Sequence, residues 1–202
     1  MKRSAFPALM LLICLLAVGC RNGTGSAGPT PFALNTPKAD HTAATVYYRN
    51  FAGYVVPVTR SVWAKADMAT EVLYMQLNNA QNCSILQPLG LTPILGRELA
   101  YRVKVAEGVA NVDITQSTFS PETEKEEREM VDCIVNALCS LEDVSGVNLT
   151  MDGKAVKRLR WGTDVSGVLQ ERPCNEIGSG DVGYTLYYLD PDSELIVPVT
   201  VH

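Results

Sequence analysis

Thr45-Val-Tyr-Tyr-Arg49 and Tyr54-Val-Val-Pro-Val-Thr-Arg60 are two β-branched and aromatic runs separated by a short segment that contains Gly53. Such runs suit a pleated, half-buried surface, so the pair predicts a β-hairpin. Pro57 has no N–H to give to a ladder, which puts that side of the second strand at a sheet edge or a bulge. Downstream, Ala69, Val72, Leu73 and Leu77 recur at helical spacing and predict a first helix over about residues 66–78. Pro88, Gly90, Pro93 and Gly96 mark a long loop after it. Leu99, Tyr101, Val103 and Val105 then alternate with Ala100, Arg102 and Lys104, and beyond Glu107-Gly108 the alternation resumes with Ala110, Val112 and Ile114. That is a second hairpin with one buried face.

Ser120-Pro121-Glu122 has the form of an N-cap, a first-turn proline and an acid near the positive end of a helix. The helix it opens is expected to run to about Leu141 and to bury Met130, Val131, Ile134, Val135, Leu138 and Leu141. Glu122, Glu124, Glu126, Glu127 and Glu129, with Lys125 and Arg128, read as its solvated face. Residues 147–151 read as a further strand, and Asp152-Gly153 as a tight turn into residues 154–159. Strand, strand, helix, strand, strand, helix, strand is an α+β order. It implies two layers, with two helices packed on one face of a mostly antiparallel sheet.

The opening hairpin recurs. Tyr187-Tyr188 leads to Val197-Pro198-Val199-Thr200 as Tyr47-Tyr48 leads to Val56-Pro57-Val58-Thr59, with one extra residue in the turn. Residues 184–202 thus read as the first two strands of a second, incomplete copy, and an isolated hairpin is marginal in water. Either this copy is a truncation remnant, or it pairs with an exposed edge, in this molecule or in a neighbour.

At the N-terminus, Lys2 and Arg3 precede about 14 mostly apolar residues, too few to span a bilayer as a helix, so residues 1–19 read as an export signal. Ala17-Val18-Gly19-Cys20 resembles the lipobox of bacterial lipoproteins, with Ala17 where leucine is commonest. A small-x-small cut would equally serve an ordinary signal peptidase, and either route leaves Cys20 first. A lipid on the Cys20 sulfur would hold the domain at the membrane without spanning it. Gly23-Thr-Gly25-Ser-Ala-Gly28 spells G-x-G-x-x-G, but no strand precedes it and prolines follow, so residues 20–43 read as a flexible tether.

The 202 residues, 47% hydrophobic and 19% charged, suit one modest folded domain with extras. The formal charge of -5 falls to about -7 once Lys2 and Arg3 leave, which argues against sequence-independent binding of nucleic acid. The two histidines, His41 and His202, sit in the expected tether and at the last residue, where no packed scaffold for imidazole chemistry is expected. Asp113, flanked by Val112 and Ile114, has no visible catalytic partner and reads as a solvent-facing or turn-bonding acid. Lys154, Lys157, Arg158 and Arg160 read as a solvated strand face, with anionic lipid or wall polymer as the alternative. No cofactor or metal site is expected, since no C-x-x-C pair occurs. Of Cys83, Cys133, Cys139 and Cys174, the middle two lie about 9 Å apart along one helix, beyond disulfide reach. Cys83 can meet that helix at Cys133 or Cys139, and buried thiols filling space are the other reading.

Residues 44 to 155, through Thr45-Val-Tyr-Tyr, Val-Val-Pro-Val-Thr59, Ala110-Asn-Val-Asp113, the long helix and the stretch from Val147 to Gly153, resemble the GerMN domain of sporulation and spore-germination proteins. Trp161-Gly-Thr-Asp164-Val-Ser and Arg172-Pro173, within a linker at 156–183, resemble the connector between tandem GerMN copies. The resemblance implies an extracytoplasmic lipoprotein of the cell membrane, with a compact fold like ring-building motifs. It implies a non-catalytic role in assembly with envelope or sporulation-channel proteins, and it supplies no catalytic residues. The alternative is an envelope or wall-polymer binding module without a sporulation role; a peptidoglycan hydrolase ranks below both.

Overall fold

The computed structural model describes residues 40–64 and 67–202, so the export signal, Cys20 and the tether up to residue 39 lie outside the described residues. Strands β1 (His41–Asn50) and β2 (Val55–Trp63) pair antiparallel, with Tyr47 opposite Pro57 and Tyr48 opposite Val56. The pairing starts four residues before the β-branched run because His41 lies opposite Trp63 and their rings meet at 4.2 Å. β3 (Leu91–Pro93) joins the other side of β1, giving the order β2-β1-β3. Pro57 therefore lies on an outer strand, where a missing donor is tolerated.

A second sheet is built from β4 (Tyr101–Ala106) and β5 (Val109–Ile114), antiparallel, with β6 (Gly146–Met151) parallel to β5. The parallel pair is the product of a helical crossover, since parallel strands cannot be joined by a tight turn. β7 (Lys154–Ala155) and β8 (Val168–Leu169) both pair with β6. A third sheet has the order β10-β11-β9, with β9 (Glu176–Ile177), β10 (Tyr184–Leu189) and β11 (Ile196–Val201). The architecture is α+β with mostly antiparallel sheets.

The described residues form three α-helices rather than the two expected: α1 (Met68–Tyr74), α2 (Ala80–Leu86) and α3 (Glu124–Cys139). α2 occupies part of the expected long loop. Its seven residues are too few and too polar to show a hydrophobic period. What fixes it is its cap: the Asn79 side chain accepts the Asn82 N–H at 2.8 Å, and the Asn82 amide in turn donates to the carbonyls of Tyr74 and Leu77. α3 starts later than Ser120-Pro121 suggested. Thr123 is the N-cap, accepting from the Glu126 N–H at 3.1 Å, while the Glu126 carboxylate accepts from the Glu122 N–H at 2.8 Å. The pattern Thr-x-x-Glu at 123–126 is the stronger start signal because it satisfies two orphan amides at once.

α3 is buried on all sides from Met130 to Leu138, not along one stripe. One face packs on β1 and β6 with Val46, Tyr48 and Leu149 in the same core. The opposite face is covered by the connector that follows β7. Glu127, expected in solvent, is fully buried as a result. Its carboxyl accepts the Trp161 N–H at 2.9 Å and the Thr163 N–H at 3.1 Å, so a glutamate of the helix holds the Trp-Gly-Thr loop. The indole N–H of Trp161 closes the arrangement by donating to the Pro121 carbonyl at 2.9 Å.

Replacing Glu127 by alanine strands two backbone N–H groups, that of Thr163 buried and that of Trp161 partly buried, each worth about 1–3 kcal/mol. The variant Glu127→Ala is expected to lose about 3 kcal/mol of stability in urea unfolding. Glu127→Gln keeps an acceptor oxygen and is expected to lose about half as much.

Candidate interaction surface

Residues 171–176 run along α3 in the opposite direction to the helix. The Glu171 backbone lies beside the Cys139 thiol. One step on, the Asn136 amide treats Arg172 as a strand partner: its Oδ1 accepts the Arg172 N–H at 2.9 Å and its Nδ2 donates to the Arg172 carbonyl at 2.8 Å. The Arg172 guanidinium reaches Asp132 at 3.2 Å, and Glu176 pairs with Arg128. Burial pushes the Asp132 carboxyl up from its ordinary value against the opposing pull of Arg172 and Arg128.

Asn175 faces the other way. With φ at 53°, a left-handed conformation that asparagine tolerates, it aims its amide between two strands. Its Oδ1 accepts the Val55 N–H at 2.7 Å, and its Nδ2 donates to the Val55 carbonyl at 2.8 Å and to the Pro198 carbonyl at 2.6 Å. β11 thereby rests beside the outer strand β2 through a side chain standing in for a ladder. Val197 and Val199 of β11 are buried in the shared core, a contribution of about 2 kcal/mol each.

The sequence repeat is also a repeat of register. Tyr47 opposes Pro57 and Tyr187 opposes Pro198; Tyr48 opposes Val56 and Tyr188 opposes Val197. Equivalent residues of the two hairpins touch: the Asn50 amide donates to Asp190 at 3.1 Å. Asp190 also accepts the Ser193 hydroxyl at 2.5 Å, and these bonds, Ser193 first, hold its carboxyl below the ordinary range. Burial separates the copies. Tyr47 and Tyr48 are 6% and 0% exposed, whereas Tyr187 and Tyr188 are 71% and 52% exposed. In the first copy β3 and the helices cover β1; among the described residues, β10 pairs only with β11, and all six of its residues are exposed. Its sequence, Tyr-Thr-Leu-Tyr-Tyr-Leu, carries no charge.

The groups singled out for chemistry are placed as follows. Cys20 lies outside the described residues. Asp113 accepts the Thr150 hydroxyl and the Gly153 N–H, both at 2.7 Å, which lowers its pKa and makes it the fastener of the Asp152-Gly153 turn. His202 is not a bare terminus: its Nε2 lies 3.1 Å from Glu176. It was missed because its partner sits in the connector, which carries no periodic signal. Lys154, Lys157, Arg158 and Arg160 are exposed, but only Lys154 is on a strand; the others lie on a loop, with Arg160 over the Trp161 ring. A cleft of about 390 Å³ between α3, the first hairpin turn and residues 173–177 is lined by Arg128, Glu129 and Asp132. These are ion-paired, Arg49 reaching Glu129 at 2.6 Å. No three metal-ligating side chains converge among the described residues.

Residues 45–157 match the family model described as Germane, sporulation and spore germination. The chain belongs to this family. Its fold is similar to that of the tandem GerMN domains of the sporulation protein GerM from Bacillus subtilis, with a TM-score of 0.68 and 24% identity over 80% of this chain and 60% of that one. The chain thus spans 60% of the length of that tandem structure. The first GerMN domain of the same protein aligns with a TM-score of 0.58 and 22% identity over 64% of this chain and 97% of that one. No curated protein matches.

The docking of the second hairpin depends on two amides and one carboxylate. Asn175→Ala is expected to raise the hydrogen-exchange rate of β10 and β11 amides at least about ten-fold, since each lost bond is worth roughly 1 kcal/mol. The depressed folded pKa of Asp190 means that its contribution is present above the ordinary carboxylate range and lost as pH falls from that range through the lower folded value. Protection factors of the same strands, which allow for the slower intrinsic exchange in acid, should therefore fall on acidification, and less so in Asp190→Asn.

Proposed function

We propose that this Germane-family chain is a non-catalytic assembly component of the sporulation or germination machinery, held outside the cell membrane by lipid on Cys20. The observation that carries the assembly role is β10. It is an uncharged strand whose outer edge is unpaired among the described residues, with uncovered tyrosine and leucine side chains, and it lacks the charges that keep ordinary edges from pairing. Such a strand suits β-augmentation, in which backbone bonds give affinity and alternate side chains give selectivity. The preferred partner is an envelope or sporulation-channel protein that offers a strand with apolar neighbours.

Residues 184–202 fit the opening hairpin of a second GerMN-like repeat. The shared register supports this, and so does the longer match to the tandem structure, 80% of the chain against 64% for the single domain. Anchoring is supported by Ala17-Val18-Gly19-Cys20. Among the described residues no helix is long and apolar enough to cross a membrane.

Two experiments in the source strain test these halves separately. Radiolabelled palmitate should enter the wild-type protein and not Cys20→Ser, which should leave the membrane fraction; equal labelling would refute anchoring. Leu186→Lys with Tyr188→Lys should lower spore yield or germination to the level of a deletion while the folded protein persists. Normal spores from both the double variant and the deletion would refute the assembly role.

A further inference from the structure

We propose that Cys133 and Cys174 form a disulfide that staples the connector to α3. The inference rests on how the connector tracks the helix. Glu171 meets Cys139, and Glu176 pairs with Arg128. Between these ends Arg172 is bonded to Asn136 and Asp132, so the connector passes back along about three turns of α3 from Glu171 to Glu176.

Cys174 lies between Arg172, bonded to Asn136 and Asp132, and Glu176, paired with Arg128; the side chains of all three meet α3, while Asn175, in its left-handed conformation, faces β2 and β11. Both thiols are free in this structure, and two contacts fix that of Cys174 beside α3. The Asn136 amide is 3.5 Å from its sulfur, and the residue packs against the buried core. Cys133 is one turn before Asn136 on the same helix face, is buried, and lines the same cleft as Cys174. The thiols also sense each other electrostatically, Cys174 being the first charge that raises the pKa of Cys133 after burial itself.

The other cysteines are placed elsewhere. Cys83 is on α2, its thiol donating to the Asn78 side chain at 3.1 Å, and Cys139 is at the end of α3 beside Glu171. Neither lines this cleft.

The reaction is an exchange. Two thiols give up two protons and two electrons as the sulfur–sulfur bond forms, and an exchanging disulfide such as oxidised glutathione takes them up to become two thiols. Burial pushes the Cys174 thiol up to about 11, so little thiolate is present once the connector has docked. The bond therefore forms during folding, before residues 171–176 settle on α3, and once formed it is shielded.

The test uses the full chain, unfolded in denaturant without reductant and refolded in detergent with a glutathione redox buffer. Free thiols are then alkylated and the protein is mapped by proteolysis and mass spectrometry. One linked peptide joining Cys133 to Cys174, two hydrogens lighter than its parts, is expected, with Cys83 and Cys139 alkylated. Reduction should lower the melting temperature of this material by roughly 10 °C, as expected for a loop of this length, and leave that of Cys174→Ser unchanged. Cys133 and Cys174 both alkylated, or either one linked to Cys83 or Cys139, would overturn the proposal, as would a melting temperature indifferent to reduction.

Discussion

A helix buried on every side cannot carry an unpaired polar group, and α3 meets that constraint by recruiting a second layer of chain. Glu127, Asp132 and Asn136 sit on a helix that is otherwise apolar from Met130 to Leu138. Each finds its partner in the connector: the loop amides of Trp161 and Thr163, the guanidinium of Arg172, and the Arg172 backbone. The connector is thus as much a part of the domain as the sheets are. Its position fixes Asn175, Asn175 fixes β11, and β11 determines that β10 faces outward.

What was legible in the sequence was whatever repeats. The alternation in β4 and β5, the stripe from Met130 to Leu141 and the Tyr-Tyr to Pro spacing each recur often enough to be read, and each was found in place. Pro57 pointed to an outer strand for a reason internal to the residue. The misreadings come from contacts with no period. Glu127 looks like its four glutamate neighbours, and only the loop 34 residues away sets it apart. α2 is specified by the Asn79 cap and by Asn82, two side-chain amides in what reads as loop. The Thr123-x-x-Glu126 cap lies just after the Ser-Pro pair that suggested an earlier start.

The two hairpins illustrate how one local sequence can serve opposite environments. Both keep tyrosine opposite proline, so backbone pairing is decided within the hairpin. Whether the tyrosines are core or surface is decided by what lies over them. In the first copy the phenol of Tyr48 is buried and accepts a bond from Arg60, and burial raises its pKa; its counterpart Tyr188 is open. The asymmetry places an apolar surface on one strand while the domain beneath it remains closed.

The succession of side-chain clasps along α3 also makes the connector intolerant of changes in length. A single inserted residue between Arg172 and Glu176 would carry Asn175 and Glu176 away from the groups they now hold. One codon's worth of sequence would unseat ion pair, amide clasp and hairpin together. Loops elsewhere on this domain can lengthen and drift over evolutionary time; this stretch, though it has almost no regular secondary structure, is constrained like a gear rack.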